Sequence, residues 1–142
     1  MKKKYVSLVK ANSLIPKVTK LVTELMKLNN ALQLIESVDV EFEDEYEFMV
    51  NDIKSSIQLH KLYYEFYRKL DELIEIGVYV QDIDLGLINF FSRNNGHDIF
   101  LCWQLGEKKI NYWYDVEEDY DDRKPINMLK DRKIQNINDI NE

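Results

Sequence analysis

Residues 70–80 read LDELIEIGVYV, and the fold changes character inside them. Leu70, Leu73 and Ile74 continue an apolar pattern at three- and four-residue spacing, the period of a helix face. From Val78 onward the apolar residues are β-branched or aromatic and come in short runs, as in strands. Gly77 stands between the two patterns. It suits the left-handed backbone that closes a helix, which costs glycine nothing because it has no Cβ.

Backward from Gly77, one stripe runs through Tyr46, Met49, Val50, Ile53, Ile57, His60, Tyr63, Tyr64, Tyr67, Leu70, Leu73 and Ile74. Phe48, Leu59, Leu62 and Phe66 widen it beyond a single seam. An earlier stripe follows Ser7, a helix-capping residue: Leu8, Ala11, Leu14, Ile15, Val18, Leu21, Val22, Leu25, Leu28, Leu32 and Ile35. Pro16 lies within it and is expected to kink or break the rod, since it removes one backbone hydrogen bond. The lysines near its start oppose the helix dipole, so they do not assist the helix. The acidic stretch Glu41–Glu45 reads as the connection. Two helices of roughly 30 residues, each about 45 Å long, are therefore predicted to pack antiparallel as a hairpin.

Forward from Gly77, the strand candidates are Val78–Val80, Gly86–Phe91, Ile99–Leu105 and Ile110–Tyr114. Asn94-Asn95-Gly96 and Gly106-Glu107-Lys108 are turn signals between them. The expected fold class is α+β: a helical hairpin over 7–77, then a three- or four-stranded antiparallel β-meander over 78–116. A single domain over 1–126 is expected, with 127–142 a polar, Asn-rich tail, partly helical near Met128–Ile134 and frayed at its end. Strands of six or seven residues span only ~20–23 Å, less than half the hairpin. Either the two stripes face only each other, or the far half of the hairpin packs on another chain. A homodimer with a four-helix contact is the favoured expectation.

Composition bounds the rest. With 142 residues, 45% hydrophobic and 32% charged, the chain is long and apolar enough for one domain with a core of its own. One cysteine, Cys102, excludes an internal disulfide framework and fits a reducing compartment. Lys10 and Lys17 interrupt any signal sequence, and nothing approaches the ~20 apolar residues of a membrane span. The expected location is cytoplasmic. The net charge of −7 argues against wholesale nucleic-acid binding, yet it is segregated. Seven lysines and one acid, Glu24, precede residue 31, while eight acids lie between Glu36 and Asp52. A second acidic cluster comprises Asp115, Glu117, Glu118, Asp119, Asp121 and Asp122. A solvated surface, self-association and a polyanionic partner all fit this asymmetry.

Four segments together carry a family resemblance. They are Ser7–Pro16, Asp82–Phe90, the Leu-Cys-Trp-Gln-Leu-Gly-Glu run Leu101–Glu107, and Arg123-Lys124-Pro125-Ile126. The chain resembles, to about residue 126, the domain of unknown function 2203 family, a group of uncharacterised prokaryotic proteins. The resemblance implies no established activity. It implies shared polar positions at Asp82, Asp84, Glu107 and Arg123. It also exposes departures: Val9 and Lys10 stand where the family usually has an acidic pair. Asn89 stands where it tends to have Asp, Tyr114 where it has His, and Asp119, Asp121 and Asp122 in a Gly-containing stretch. If that Asp and His were ligands or catalytic groups, this member lacks their chemistry.

The candidate chemistry divides between structural and functional readings. Asp82 and Asp84 alternate with Ile83, so both carboxylates project from one side, and with Glu107 they would make an oxygen-rich divalent-cation site. The structural reading, turn hydrogen bonds at a strand end, carries more weight. Arg123 clamps a carboxylate or phosphate if it lines a pocket, and otherwise pairs with Glu107 or Asp84. Trp103 and Trp113 are candidates for ligand stacking. Sheet packing is the commoner role, with Trp103 and Tyr112 stacking across strands. Cys102 reads as a buried apolar residue rather than a nucleophile. His60 and His97 lack the spacing of a zinc motif, and the phosphate loop, nucleophile elbow and dinucleotide fingerprint are all missing. No cofactor is expected, with a divalent cation as the alternative.

Three functions compete. The favoured one is a non-enzymatic, dimeric interaction module that binds another macromolecule. The second is a small-molecule or metal-dependent enzyme using Asp82, Asp84, Glu107 and Arg123. The third is a ribonucleoprotein-associated factor that contacts polyanions through Lys2, Lys3, Lys4 and Lys10.

Overall fold

The computed structural model describes residues 4–37 and 44–129. The N-terminal helix α1 (Leu8–Ser37) begins where the Ser7 hydroxyl accepts the Lys10 amide at 3.1 Å. It continues through Pro16, which is exposed, and the proline does not break the rod. The second helix α2 (Glu45–Glu75) is capped by Asp44, whose carboxylate accepts the Glu47 amide at 2.7 Å. Glu45 and Glu47 in its first turn favour the helix dipole. At its far end the Gly77 amide donates to the Ile74 carbonyl at 3.0 Å, with φ at +95°. The expected glycine cap is in place. A Cβ at Gly77 would sit 2.9 Å from the Lys4 carbonyl oxygen, so the position needs glycine for space as well as conformation.

Five antiparallel strands follow in a simple meander, one more than the upper expectation: β1 (Val78–Asp82), β2 (Leu87–Asn94), β3 (His97–Gln104), β4 (Tyr112–Asp115) and β5 (Lys124–Pro125). The β2–β3 loop is Asn95-Gly96, both at positive φ (53° and 80°), closed by the Asn94–His97 pair. This is the two-residue turn whose twist matches its strands. Gly106 instead opens a wider connection to β4.

Register sorts the sheet's two faces. Val78, Val80, Ile88, Phe90, Ile99, Leu101 and Trp103 face inward, packed with Ala11, Ile15, Val18, Leu21, Val22 and Leu25 of α1. Leu129 joins this core. Trp103 and Tyr112 therefore point to opposite faces and do not stack across strands: Tyr112 pairs with Cys102, and its ring lies outside. No described helix is long and apolar enough to cross a membrane.

The helices share the core unequally. Seven α1 residues are buried, against Leu73 alone in α2. Phe66 and Leu70 pack on the core in part, and Lys69–Glu24 (2.6 Å) and Tyr63–Glu36 link the helices. The long stripe read along α2 is thus two faces rather than one, and only part of it meets α1. The Met128–Ile134 helical tendency is a single 3-10 turn at Ile126–Met128 as far as Leu129, and its remainder lies outside the described residues.

Gly77→Ala is expected to cost about 1–3 kcal/mol through strain and the Lys4 contact, measured as a shift in urea midpoint. Gly96→Ala, where nothing lies within 4 Å of a new Cβ, should cost less.

Candidate functional site

The outer face of the sheet, turned away from the helices, carries side chains that local sequence does not bring together. Tyr79, Asn89, Cys102, Tyr112 and Pro125 form one row by register, with Phe91, Phe100 and Tyr114 in the next. The rings of Tyr79, Phe91, Phe100, Tyr114 and Tyr120 touch in sequence at centroid distances of 5.2–6.3 Å. The segment 116–123 folds back so that Tyr120 packs with Leu87, Cys102 and Tyr114 in a second, smaller core.

Asn89 and Tyr114, two of the family departures, are a bonded pair here. The Asn89 amide nitrogen donates to the Tyr114 hydroxyl at 2.8 Å and to Gln81 Oε1 at 3.0 Å. Asn89 is fully buried, and its Oδ1 has no hydrogen-bond partner among the described residues. Burial pushes the Tyr114 phenol up to about 12, against the lowering effect of the Asn89 bond. The Cys102 thiol is likewise raised to about 12 by burial, which outweighs the nearby Arg123 charge. The thiol stays protonated, consistent with the apolar reading.

Arg123 departs from its expected pairing. Its guanidinium carbon lies 4.2 Å from the Tyr120 ring centre and 5.1 Å from that of Tyr112. Its hydrogen bond is a long one, from Nη1 to the Tyr120 carbonyl at 3.4 Å. It forms no ion pair with Glu107 or Asp84. Glu107 instead accepts the Gln104 amide at 2.7 Å and the Asn111 side chain at 2.9 Å.

The other candidates are dispersed. Asp82 accepts the amides of Asp84 and Leu85, the turn role favoured from sequence. Asp84 accepts from Asn29 of α1 at 3.2 Å, and no group of three metal-ligating side chains occurs among the described residues. Trp103 is buried on the inner face and donates to the Glu107 carbonyl at 2.9 Å. Trp113 lies on the same face beneath Lys124 Nζ, 5.0 Å from its ring centre. Lys4 and Lys10 are exposed, and Lys2 and Lys3 lie outside the described residues.

One feature escaped the sequence reading: Tyr112 and Tyr120 flank Arg123, a grouping that only the β4–β5 pairing creates. Another was read only as part of a single stripe, and the structure shows it as a separate, exposed face on α2. Tyr46, Met49, Ile53, Ile57, Tyr64 and Tyr67 are each more than half exposed, and the exposed His60 completes the series. At 100° per residue these seven fall within a sector of about 80°. Their spacing is visible in the sequence, but which neighbour covers them is not.

Residues 4–126 match the family described as "Uncharacterized conserved protein (DUF2203)". No curated protein and no solved structure matches the chain.

Cys102 and Tyr114 give a pH dependence of defined sign. Both are neutral when protonated, and folding raises both from ordinary values of 9.0 and 10.0. The unfolded chain therefore loses these protons first. The contribution of these two groups to stability should be full below about pH 9 and fall as pH rises toward 12. Cys102→Ala is expected to remove the part that begins near pH 9, and Tyr114→Phe the part near pH 10, in denaturation midpoints followed across that range.

Proposed function

The chain belongs to the Uncharacterized conserved protein (DUF2203) family, and within it we propose that this member is a non-enzymatic interaction module, self-associating through the exposed face of α2 and presenting its paired hairpins to another macromolecule. The observation that carries this reading is the stripe from Tyr46 to Tyr67, which its own fold leaves uncovered.

Three properties of the stripe favour a second copy as its occupant. Its seven positions advance by about 3.5 residues on average, the repeat that keeps a seam facing a partner helix. It contains no acid and no lysine or arginine, so a two-fold interface lays it on itself without opposing like charges. A large aromatic side chain presents ~150–250 Å² and the aliphatic ones somewhat less, so the exposed fractions leave on the order of 800 Å² open along about 30 Å of helix. That is the share each partner contributes to a standard stable interface. Two hairpins joined in this way make a four-helix contact.

A reducing, cytoplasmic location accompanies the proposal. Its support is the lone Cys102, held as a buried thiol with no second cysteine to pair with.

Wild-type protein at tens of micromolar is expected to sediment as a dimer. Ile53→Glu combined with Ile57→Glu should give a monomer with an unchanged far-ultraviolet dichroism spectrum, because both residues face away from the core. A wild-type monomer, or a double variant that stays dimeric, would overturn the reading.

A further inference from the structure

Among the described arginines, Arg123 is the one without a carboxylate. Arg68 is paired with Glu65 at 2.7 Å and Glu72 at 3.5 Å, and Arg93 with Asp98 at 3.0 Å. The adjacent Lys124 has its counter-charge in Glu118 at 2.7 Å. Both Arg68 and Arg93 are well exposed, where water alone would satisfy them, yet each has a partner. Arg123 is half-buried and has none. Guanidinium groups withdrawn from water are ordinarily paired, because desolvating an unpaired charge is costly.

The neighbouring carboxylates do not fill the role. Glu107 accepts the Gln104 amide on one oxygen and the Asn111 side chain on the other, and forms no ion pair with Arg123. One oxygen of Asp122 accepts the Asp119 amide at 3.1 Å. Asp119 and Asp121 are exposed. What holds the guanidinium in place is aromatic: Tyr120 and Tyr112, at 4.2 and 5.1 Å. Such contacts use its charge and leave its N–H donors largely unspent. Five N–H donors in a rigid fork, with one long bond among them, form a preorganised receptor for a planar oxyanion.

We propose that Arg123, with the ring faces of Tyr112 and Tyr120, binds the carboxylate of an organic acid that carries a flat apolar body. The carboxylate meets the fork edge-on and the body lies along the exposed Tyr112 ring. Asp121 and Asp122 immediately precede Arg123, and Asp119 lies four residues before it, so this segment carries excess negative charge. That charge opposes a dianion more than a monoanion, so carboxylate is favoured over phosphate. The site lies on the outer sheet face, away from the α2 stripe, and does not depend on self-association.

Calorimetric titration of the full chain with benzoate at constant ionic strength tests this. A parallel titration uses an acetylated Gly-Phe dipeptide with a free or amidated terminus, which distinguishes a free acid from a chain end. Saturable binding of benzoate, or of the free-acid peptide alone, is expected in the wild type. It should weaken about tenfold in Arg123→Lys, which keeps the charge but loses the fork, and vanish in Arg123→Gln. If Arg123→Gln does not fold, judged by near-ultraviolet dichroism, the Lys variant decides. The proposal is overturned by three results: no binding of either carboxylate, equal binding by wild type and variants, or tighter Arg123-dependent binding of inorganic phosphate.

Discussion

The burial of the apolar face of α1 against the inner face of the sheet is the interaction on which the rest of this molecule depends. Ala11, Val18, Val22 and Leu25 have no exposed surface, and opposite them neither do Ile88, Phe90, Leu101 and Trp103. Each fully buried aliphatic side chain of this kind stabilises by about 1.5–3 kcal/mol. The contact also fixes the strand register, because a one-residue slip would turn the inward set out to solvent. The N-terminal segment secures the same layer: the Val6 amide donates to the Phe91 carbonyl at 2.8 Å, beside Gly77. With α1 held by the sheet, α2 packs as an outrigger, anchored at Leu73 and by the Glu24–Lys69 bridge. Its N-terminal half extends beyond what a short sheet can cover.

The same geometry creates the two surfaces of interest. Because the helices cover only one side of the sheet, the outer face must complete its own cover from within the chain. It does so with the folded-back segment that carries Tyr120 and Arg123. The result is a small polar and aromatic core around Cys102 and the Asn89–Tyr114 pair, with a cation at its rim. The other surface arises from length. An α-helix rises only ~1.5 Å per residue, against ~3.3 Å for a strand. Even so, 31 residues of α2 outreach the eight of β2 or β3, and the surplus length presents a second apolar face.

Elements encoded by short-range rules were legible in the sequence. Gly77 marked a helix end because only a left-handed residue closes that turn. Ser7 marked a start, and Asn94-Asn95-Gly96 a turn between strands. Family membership was legible from four segments spread along the chain. Features that depend on pairing partners were not. A two-residue strand such as Lys124–Pro125 has no periodicity to read. Asn89 and Tyr114 stood out separately as departures, but only the β2–β3–β4 register makes them neighbours. Trp103 and Tyr112 looked like a stacking pair until that register set them on opposite faces. Arg123 had acidic partners to choose from in Glu107 and Asp84, and it pairs with neither: both accept amide donors instead. The stripe on α2 was countable, but an apolar face does not name what will cover it.

The central claim is that the Tyr46–Tyr67 face of α2 is buried by a second copy. Hydroxyl-radical footprinting across a protein-concentration series tests it most directly, with the exposed tyrosines of the sheet, Tyr79 and Tyr112, as internal references. Oxidation of Met49, Tyr64 and Tyr67 should fall as concentration rises, while Tyr79 and Tyr112 stay constant. Stripe residues that remain as reactive as the references at every concentration would contradict the account.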